Sequence, residues 1–200
     1  MAGVWSESLQ ALAAYVAHDL RNALNAVAVN MEVVRSRSAR GAEASAIAPF
    51  ATTAAAQLEV TSAATEALLA FVRPEPQPAD VATIVGRLAR LLAVHGRPVL
   101  TTSAALPPRA QTSAPADLVR AVVARSVLSA VKTSGSAPCE IRVADGIFLR
   151  VTGGDATAPA LEPELAAVAS AYGVAAERRG HTIELSFPPL AMDVPPPVSA

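Results

Sequence analysis

The pattern that most constrains this chain is a long one-sided stripe at its start. From Ser6 to Ser38 the apolar residues Leu9, Leu12, Val16, Leu20, Leu24, Val27, Met31 and Val34 follow one another at steps of three or four. That spacing keeps them on one side of an α-helix of about nine turns, with Ser6 placed to cap its start. So long a helix needs a partner for its apolar face. The pattern breaks between Ser38 and Ser45, around Gly41, and a second stripe follows in Ile47, Phe50, Ala54, Leu58, Thr61, Thr65, Leu68 and Val72. Two long helices joined by a short polar turn predict an antiparallel hairpin over residues 1–73. Each arm keeps apolar surface that the other cannot cover. The expected cover is a second copy, giving a homodimer whose hairpins form a four-helix bundle.

Residues Arg73 to Ala79 (RPEPQPA) hold three prolines in seven positions, each of which blocks helix continuation. They predict a stiff linker over 74–79, with the domain boundary there. Beyond it the periodicity alternates. Asp80 is placed to cap a helix with inner face Val81, Ile84, Val85, Leu88, Leu91 and Leu92, closing at Gly96. Pro98 to Thr102 reads as a strand, Pro107 to Ser113 as a loop, and Pro115-Ala116-Asp117 as the opening of a helix reaching Lys132. Cys139–Ala144 and Ile147–Thr152 are β-rich runs flanking Asp145-Gly146, a good hairpin turn. Glu162 to Arg178 reads as helix, with Arg178-Arg179 as its solvated end, and Thr182 to Phe187 as a last strand. The expectation is an α+β chain: the hairpin, then a small α/β sandwich over 80–190 with helices on one face of a mixed sheet. Residues from Pro188 onward, and 191–200 in particular, read as a tail.

Composition narrows the function classes. With 200 residues and 52% apolar types the chain can bury a core. Lys+Arg 16 against Asp+Glu 17 leaves a net charge of −1, with no basic excess to hold a nucleic-acid backbone. The single cysteine, Cys139, cannot form an internal disulfide or a thiolate metal site, which suits a reducing compartment. No apolar run approaches the roughly 18 residues of a membrane span. Glu7 without Lys or Arg ahead of the first apolar stretch does not read as a signal peptide. The expectation is a cytoplasmic protein with no nucleic-acid or membrane partner.

The candidate chemistry lies in the first helix, at His18-Asp19-Leu20-Arg21-Asn22. At about 100° per residue, His18 lies roughly 160° from Leu20 and 200° from Val16, so it points away from the apolar stripe, while Asn22, Asn25 and Glu32 fall within about 40° of its direction. The carboxylate of Asp19 can orient one imidazole nitrogen and accept its proton, leaving the other as a nucleophile. Asn22 can donate to an incoming phosphoryl group or hold a water. The other histidines lack such neighbours. His95 sits at a helix C-terminus, where the dipole favours its charged form; His181 follows Gly180 and reads as a turn residue. The three share no ligand spacing, so no metal site is expected. Gly153-Gly154 is too short for a phosphate loop and reads as a turn. Cys139 reads as a strand residue, not a nucleophile.

The stretch AHDLRNALNAV resembles the H-box of two-component histidine kinases, whose phosphoacceptor domain is a helical hairpin that dimerises into a four-helix bundle. The family pattern is His, then Glu or Asp, two residues, then Asn or Thr; His18, Asp19 and Asn22 match it position by position. The resemblance implies that His18 is phosphorylated, that Asp19 assists as acid or base, and that Asn22 helps any dephosphorylation.

The second domain resembles that family's ATP-binding domain in element order but departs from its motifs. Where the family reads close to Asn-Ala-Ile-Lys-Tyr-Ser, this chain has Ser129-Ala130-Val131-Lys132-Thr133-Ser134, with Arg125 at the position of an earlier Asn. The Asp of an Asp-x-Gly-x-Gly box is misplaced in Val151-Thr152-Gly153-Gly154-Asp155. The nucleotide lid and a later Gly-rich box are missing. Without those oxygen ligands and loops ATP has little to hold it.

A hairpin with an intact H-box and an ATP-blind second domain is similar to the phosphotransferases of multistep phosphorelays. That implies an enzyme without a cofactor of its own, taking its phosphoryl group from response-regulator receiver domains that bring the Mg²⁺. Arg21, Asn25 and Val29 are the expected receiver-contacting residues. The alternatives are an autokinase with a divergent ATP site, a receiver phosphatase, and a non-enzymatic dimeric adaptor.

Overall fold

Two antiparallel helices open the chain, α1 (Ala2–Ala39) and α2 (Ala44–Val72). In this computed structural model, residues 2–74, 77–93, 100–102, 106–107 and 109–190 are described. The turn between the helices is built on Gly41, at φ 72°. The N–H of Gly41 donates to Ser38 and that of Ala42 to Arg37, the paired bonds that close a helix over a left-handed residue. Arg37 completes the bend, donating to the carbonyl of Ala46 at 2.8 Å and lying 4.5 Å over the Phe50 ring. The first helix starts one turn earlier than the Ser6 cap predicts, because Val4 and Trp5 pack against the core.

The seam inside the hairpin differs from the expected stripe. Alanines occupy its tightest points: Ala23, Ala54 and Ala64 are buried. Leu24 (50% exposed), Met31 (50%), Leu58 (54%) and Leu69 (61%) stay open to solvent. Small side chains let two helices approach closely; the predicted Leu12 and Val16 are buried at the base, and the larger residues further along are turned outward. The stripe was a composite of two faces.

After the hairpin come β1 (Ala79–Asp80), α3 (Val81–Leu92), β2 (Leu100–Thr102), β3 (Gln111–Thr112), α4 (Ala116–Ser134), β4 (Ala137–Val143), β5 (Ile147–Thr152), α5 (Pro163–Ala171), β6 (Ala175–Arg179) and β7 (Thr182–Phe187). The main sheet has strand order β2-β4-β5-β7-β6, with β2 and β4 parallel and the other neighbours antiparallel. Alternation along β5 and β7 buries Ile147, Leu149, Val151, Ile183, Leu185 and Phe187 under the helices. The opposite face carries polar side chains, among them Arg150 bridging Glu140 and Glu184 at 3.4 and 3.1 Å. The fold is α+β, an N-terminal helical hairpin followed by a sheet domain. Asp80 caps α3 as expected, accepting from the N–H groups of Ala82 and Thr83, and all six predicted inner-face residues of that helix are buried. The proposed stop at Gly96 lies outside the described residues.

Three expectations are corrected. The helix read from Glu162 to Arg178 ends at Ala171, and residues 175–179 form edge strand β6, so Arg178 and Arg179 are strand residues. Gly173 at φ 71° causes the break: its N–H donates to Ser170 and that of Val174 to Ala169, which closes the helix and turns the chain back along β7. The loop read at Pro107–Ser113 contains β3, which pairs with β1, so Ala79 belongs to a two-stranded ribbon and not to the linker. Finally, residues 188–190 are tied down. Thr112 Oγ1 donates to the Pro188 carbonyl at 2.6 Å and the Leu190 N–H donates to Gln111.

Two arginines of the second domain bond to the end of the hairpin: Arg87 of α3 donates to the Ala70 carbonyl at 3.4 Å, and Arg120 of α4 makes more extensive contacts. Arg120 of α4 is buried, and its guanidinium donates to the carbonyls of Phe71, Val72 and Arg73, at 3.2, 3.1 and 2.7 Å. These are orphan acceptors at the end of α2. The same group pairs with Asp117 and lies 4.6 Å over the ring of Trp5, a cation–π contact. Trp5 in turn meets Phe71 with ring centroids 6.0 Å apart.

Candidate functional site

The first arm presents His18 to solvent, its side chain 73% exposed. Asp19 Oδ1 lies 3.2 Å from His18 Nδ1, and Asn22 Nδ2 lies 3.4 Å from the same nitrogen. Helix geometry alone assembles this trio, since residue i+4 stands one turn above residue i. The two neighbours make opposite demands on Nδ1. Asp19 can only accept a proton from it, whereas the NH2 group that Asn22 turns toward it can only donate. One tautomer satisfies one neighbour at a time. When Nδ1–H donates to Asp19, Nε2 carries an exposed lone pair. That is the form in which the imidazole is a nucleophile.

Arg21, Asn25 and Val29 are all exposed on the same arm, Val29 to 64%. At about 100° per residue, positions 21, 22, 25, 29 and 32 fall within roughly 60° of His18, forming one ridge along the helix. Glu32 at the far end is clamped by Arg35 through two bonds, at 2.9 and 2.7 Å, and Arg35 holds its carboxyl below the usual range.

In the second domain the stretch that departs from the nucleotide-binding pattern is held by an ion pair. Arg125 forms an ion pair with Glu162 at 2.5 Å. That pair stands between two modest hollows: one of about 250 Å³ reaching Ser129 and Pro159, the other of about 360 Å³ against Glu7 and Ser8 of α1. Gly153 and Gly154, at φ 119° and 91°, bring the loop after β5 directly onto α4. A Cβ on Gly153 would stand 2.6 Å from Ser134 Oγ, so these glycines serve close approach as well as a turn.

Other candidates resolve quietly. His181 Nδ1 is 2.9 Å from the Gly154 carbonyl in the turn after β6, and His95 lies outside the described residues. Cys139 is buried in β4, and burial pushes its thiol up to about 12, far from a nucleophile's range. Among the described residues no cluster of His, Cys, Asp and Glu could hold a metal, and no helix is long and apolar enough to cross a membrane. Sequence reasoning did not single out Arg120, which makes its bonds 47 to 49 positions away, beyond any local signal.

No family model and no curated protein matches this chain. Its structure is similar to that of a bacterial phosphotransferase, at 14% identity over 90% of this chain and 95% of that one, with a TM-score of 0.41. It is also similar to the Acinetobacter baumannii histidine kinase AdeS, at 11% identity over 86% of this chain and 97% of that one, again with a TM-score of 0.41. Both are likenesses of layout, and what the site does rests on its own residues.

Proposed function

We propose that this protein is a histidine phosphotransferase, carrying phosphoryl groups between response-regulator receiver domains through His18. The observation that carries this reading is the exposed imidazole with Asp19 at Nδ1 and Nε2 left to solvent. A phosphorylated receiver docks on the ridge formed by Arg21, Asn25 and Val29. The Nε2 lone pair attacks phosphorus, the P–N bond forms, and the bond to the receiver's acyl oxygen breaks, returning a free carboxylate to the receiver. Positive charge that develops on the ring is met by Asp19. A second receiver aspartate reverses the sequence. The receiver supplies Mg²⁺ and most of the charge stabilisation; this chain supplies position. Asn22 is placed to hold a water or a phosphoryl oxygen when the phosphohistidine is hydrolysed.

Two further parts of the reading have support. Leu24, Met31, Leu58 and Leu69, exposed along the hairpin, are the apolar surface that a second copy covers in a four-helix bundle. In the sequence resemblance Arg125, paired with Glu162, and Ser129 take the positions of the Mg²⁺-binding amides, which supports a phosphoryl group that comes from a receiver and not from ATP. On this reading the protein acts in the cytoplasm.

The test is transfer from a phosphorylated receiver. Wild-type protein takes up an acid-labile, base-stable label, as a phosphoramidate does, and His18→Ala takes up none. Label that persists in His18→Ala, or autophosphorylation from ATP, overturns the reading.

A further inference from the structure

We propose that the second domain is a fixed clamp on the base of the hairpin, locked well below His18 and staying there while the histidine reacts. The part that concerns the reaction rests on His18 as the phosphoacceptor; the lock itself does not.

The clamp grips both arms. On α2, Arg87 donates to the carbonyl of Ala70, and Arg120 donates to those of Phe71, Val72 and Arg73. Four successive carbonyls at the end of the helix, which have few partners within the helix itself, are thus held by arginines of the second domain. On α1, the Arg120 guanidinium lies over the Trp5 ring, and Trp5 meets Phe71. Leu12 and Val16 are buried in the same apolar cluster as Phe71 and the inner faces of α3 and α4. A domain that swung away would open that cluster and leave Arg120, 3% exposed, as a charge without its acceptors, which is the costly way to break a buried polar contact.

Where the clamp sits bears on the chemistry. Arg125, at the position of a nucleotide-site amide in the sequence resemblance, lines one hollow with Glu7 and Ser8 of α1. Ser8 is ten positions before His18, nearly three turns or about 15 Å along the helix axis. A nucleophile and the atom it attacks must stand about 3–3.5 Å apart. A phosphoryl group held beside Arg125 is therefore out of reach of His18 in its own chain unless α4 slides along α1, and that slide breaks the contacts at Trp5, Phe71 and the end of α2 together. What the clamp gives His18 is a steady stem. The helix is held at Trp5, Leu12 and Val16 while the imidazole above them stays open, so an incoming domain meets a nucleophile already placed.

The experiment measures the distance between spin labels at Ser38→Cys, at the far end of the hairpin, and Thr152→Cys, in β5, both exposed positions. Cys139 is buried and takes no label, and labelled chains are diluted in unlabelled protein so that one chain of an assembly is read. The otherwise wild-type chain gives one narrow distance, unchanged by Mg-ATP or by a phosphorylated receiver. Two distances, or a shift with either addition, overturn the clamp. Arg120→Met, which keeps much of the bulk but no donor, broadens the distribution, and Trp5→Leu, which removes the ring under the guanidinium, broadens it less. Distributions as narrow as the wild type in both variants overturn the role given to these contacts. A reversible thiol cross-link between Glu66→Cys and Arg90→Cys, which line one crevice between α2 and α3, leaves transfer from a phosphorylated receiver at the rate before cross-linking. Transfer lost on cross-linking and regained on reduction overturns the proposal. Label retained in His18→Ala overturns the phosphoacceptor reading instead, and the distance measurement still judges the clamp on its own.

Discussion

The two halves of this molecule treat their large apolar side chains in opposite ways. In the sheet domain, α4 buries thirteen of its nineteen residues, and β5 and β7 beneath it bury Ile147, Leu149, Val151, Ile183, Leu185 and Phe187. In the hairpin, α2 buries three of twenty-nine, and those are two alanines and Phe71. The sheet domain is finished by its own chain. The hairpin buries Ala23, Ala54 and Ala64 along its length and Leu12, Val16 and Phe71 at its base, and leaves Leu24, Met31, Leu58 and Leu69 exposed.

Breaking the self-sufficient half should have the largest effect. Leu149 is fully buried in β5, and Leu149→Ala should destabilise the fold by about 2–5 kcal/mol in denaturant titration. Arg120→Ala strips the end of α2 of its donors and should cost about 2–4 kcal/mol. Hydrogen exchange in that variant should rise first at residues 69–73, since the carbonyls there lose their partner. A loss confined to α4 would show that the guanidinium does not join the halves.

Gentler changes probe the open half. Leu24→Glu should leave helicity intact, because Leu24 is exposed within one chain, yet halve the mass seen by light scattering. A dimer that survives the change would place its interface elsewhere. Cys139 gives a smaller, pH-dependent contrast. Its thiol ionises near 12 in the folded chain and near 9 unfolded, so folding favours the protonated form. That contribution is complete below about pH 9 and declines as pH climbs toward 12. Correspondingly, thiol reagents at pH 8 should react slowly until denaturant opens the fold. Smallest of all, His18→Ala should shift stability by no more than about 0.5 kcal/mol.

How much of this was legible in the sequence depended on distance along the chain. The trio His18, Asp19 and Asn22 could be read because all its geometry lies within one helical turn. Asp80 and Gly41 could be read for the same reason: a cap or a turn is a local event. The run Glu162 to Arg178 misled because alanines, glutamates and arginines suit a helix, and the decisive residue was one glycine, Gly173. The ribbon of β1 and β3 is too short to show alternation. Which of Ala23 or Leu24 faces the other arm was decided by packing between helices, where the tighter fit of alanine outweighs the greater hydrophobicity of leucine. Arg120 left no mark in the pattern at all.

That arginine also sets an order of events during synthesis. The hairpin leaves the ribosome first and can close at its Gly41 end at once, since that turn needs only residues 37–46. Its other end cannot be completed then. The last carbonyls of α2 wait for a donor that lies 47 to 49 residues downstream, and Trp5 waits for the same side chain to cover it. For the time it takes to make α3 and the first turn of α4, the nascent arms are zipped at the top and open at the base. The emergence of residue 120 is the moment at which the end of α2 gains these donors.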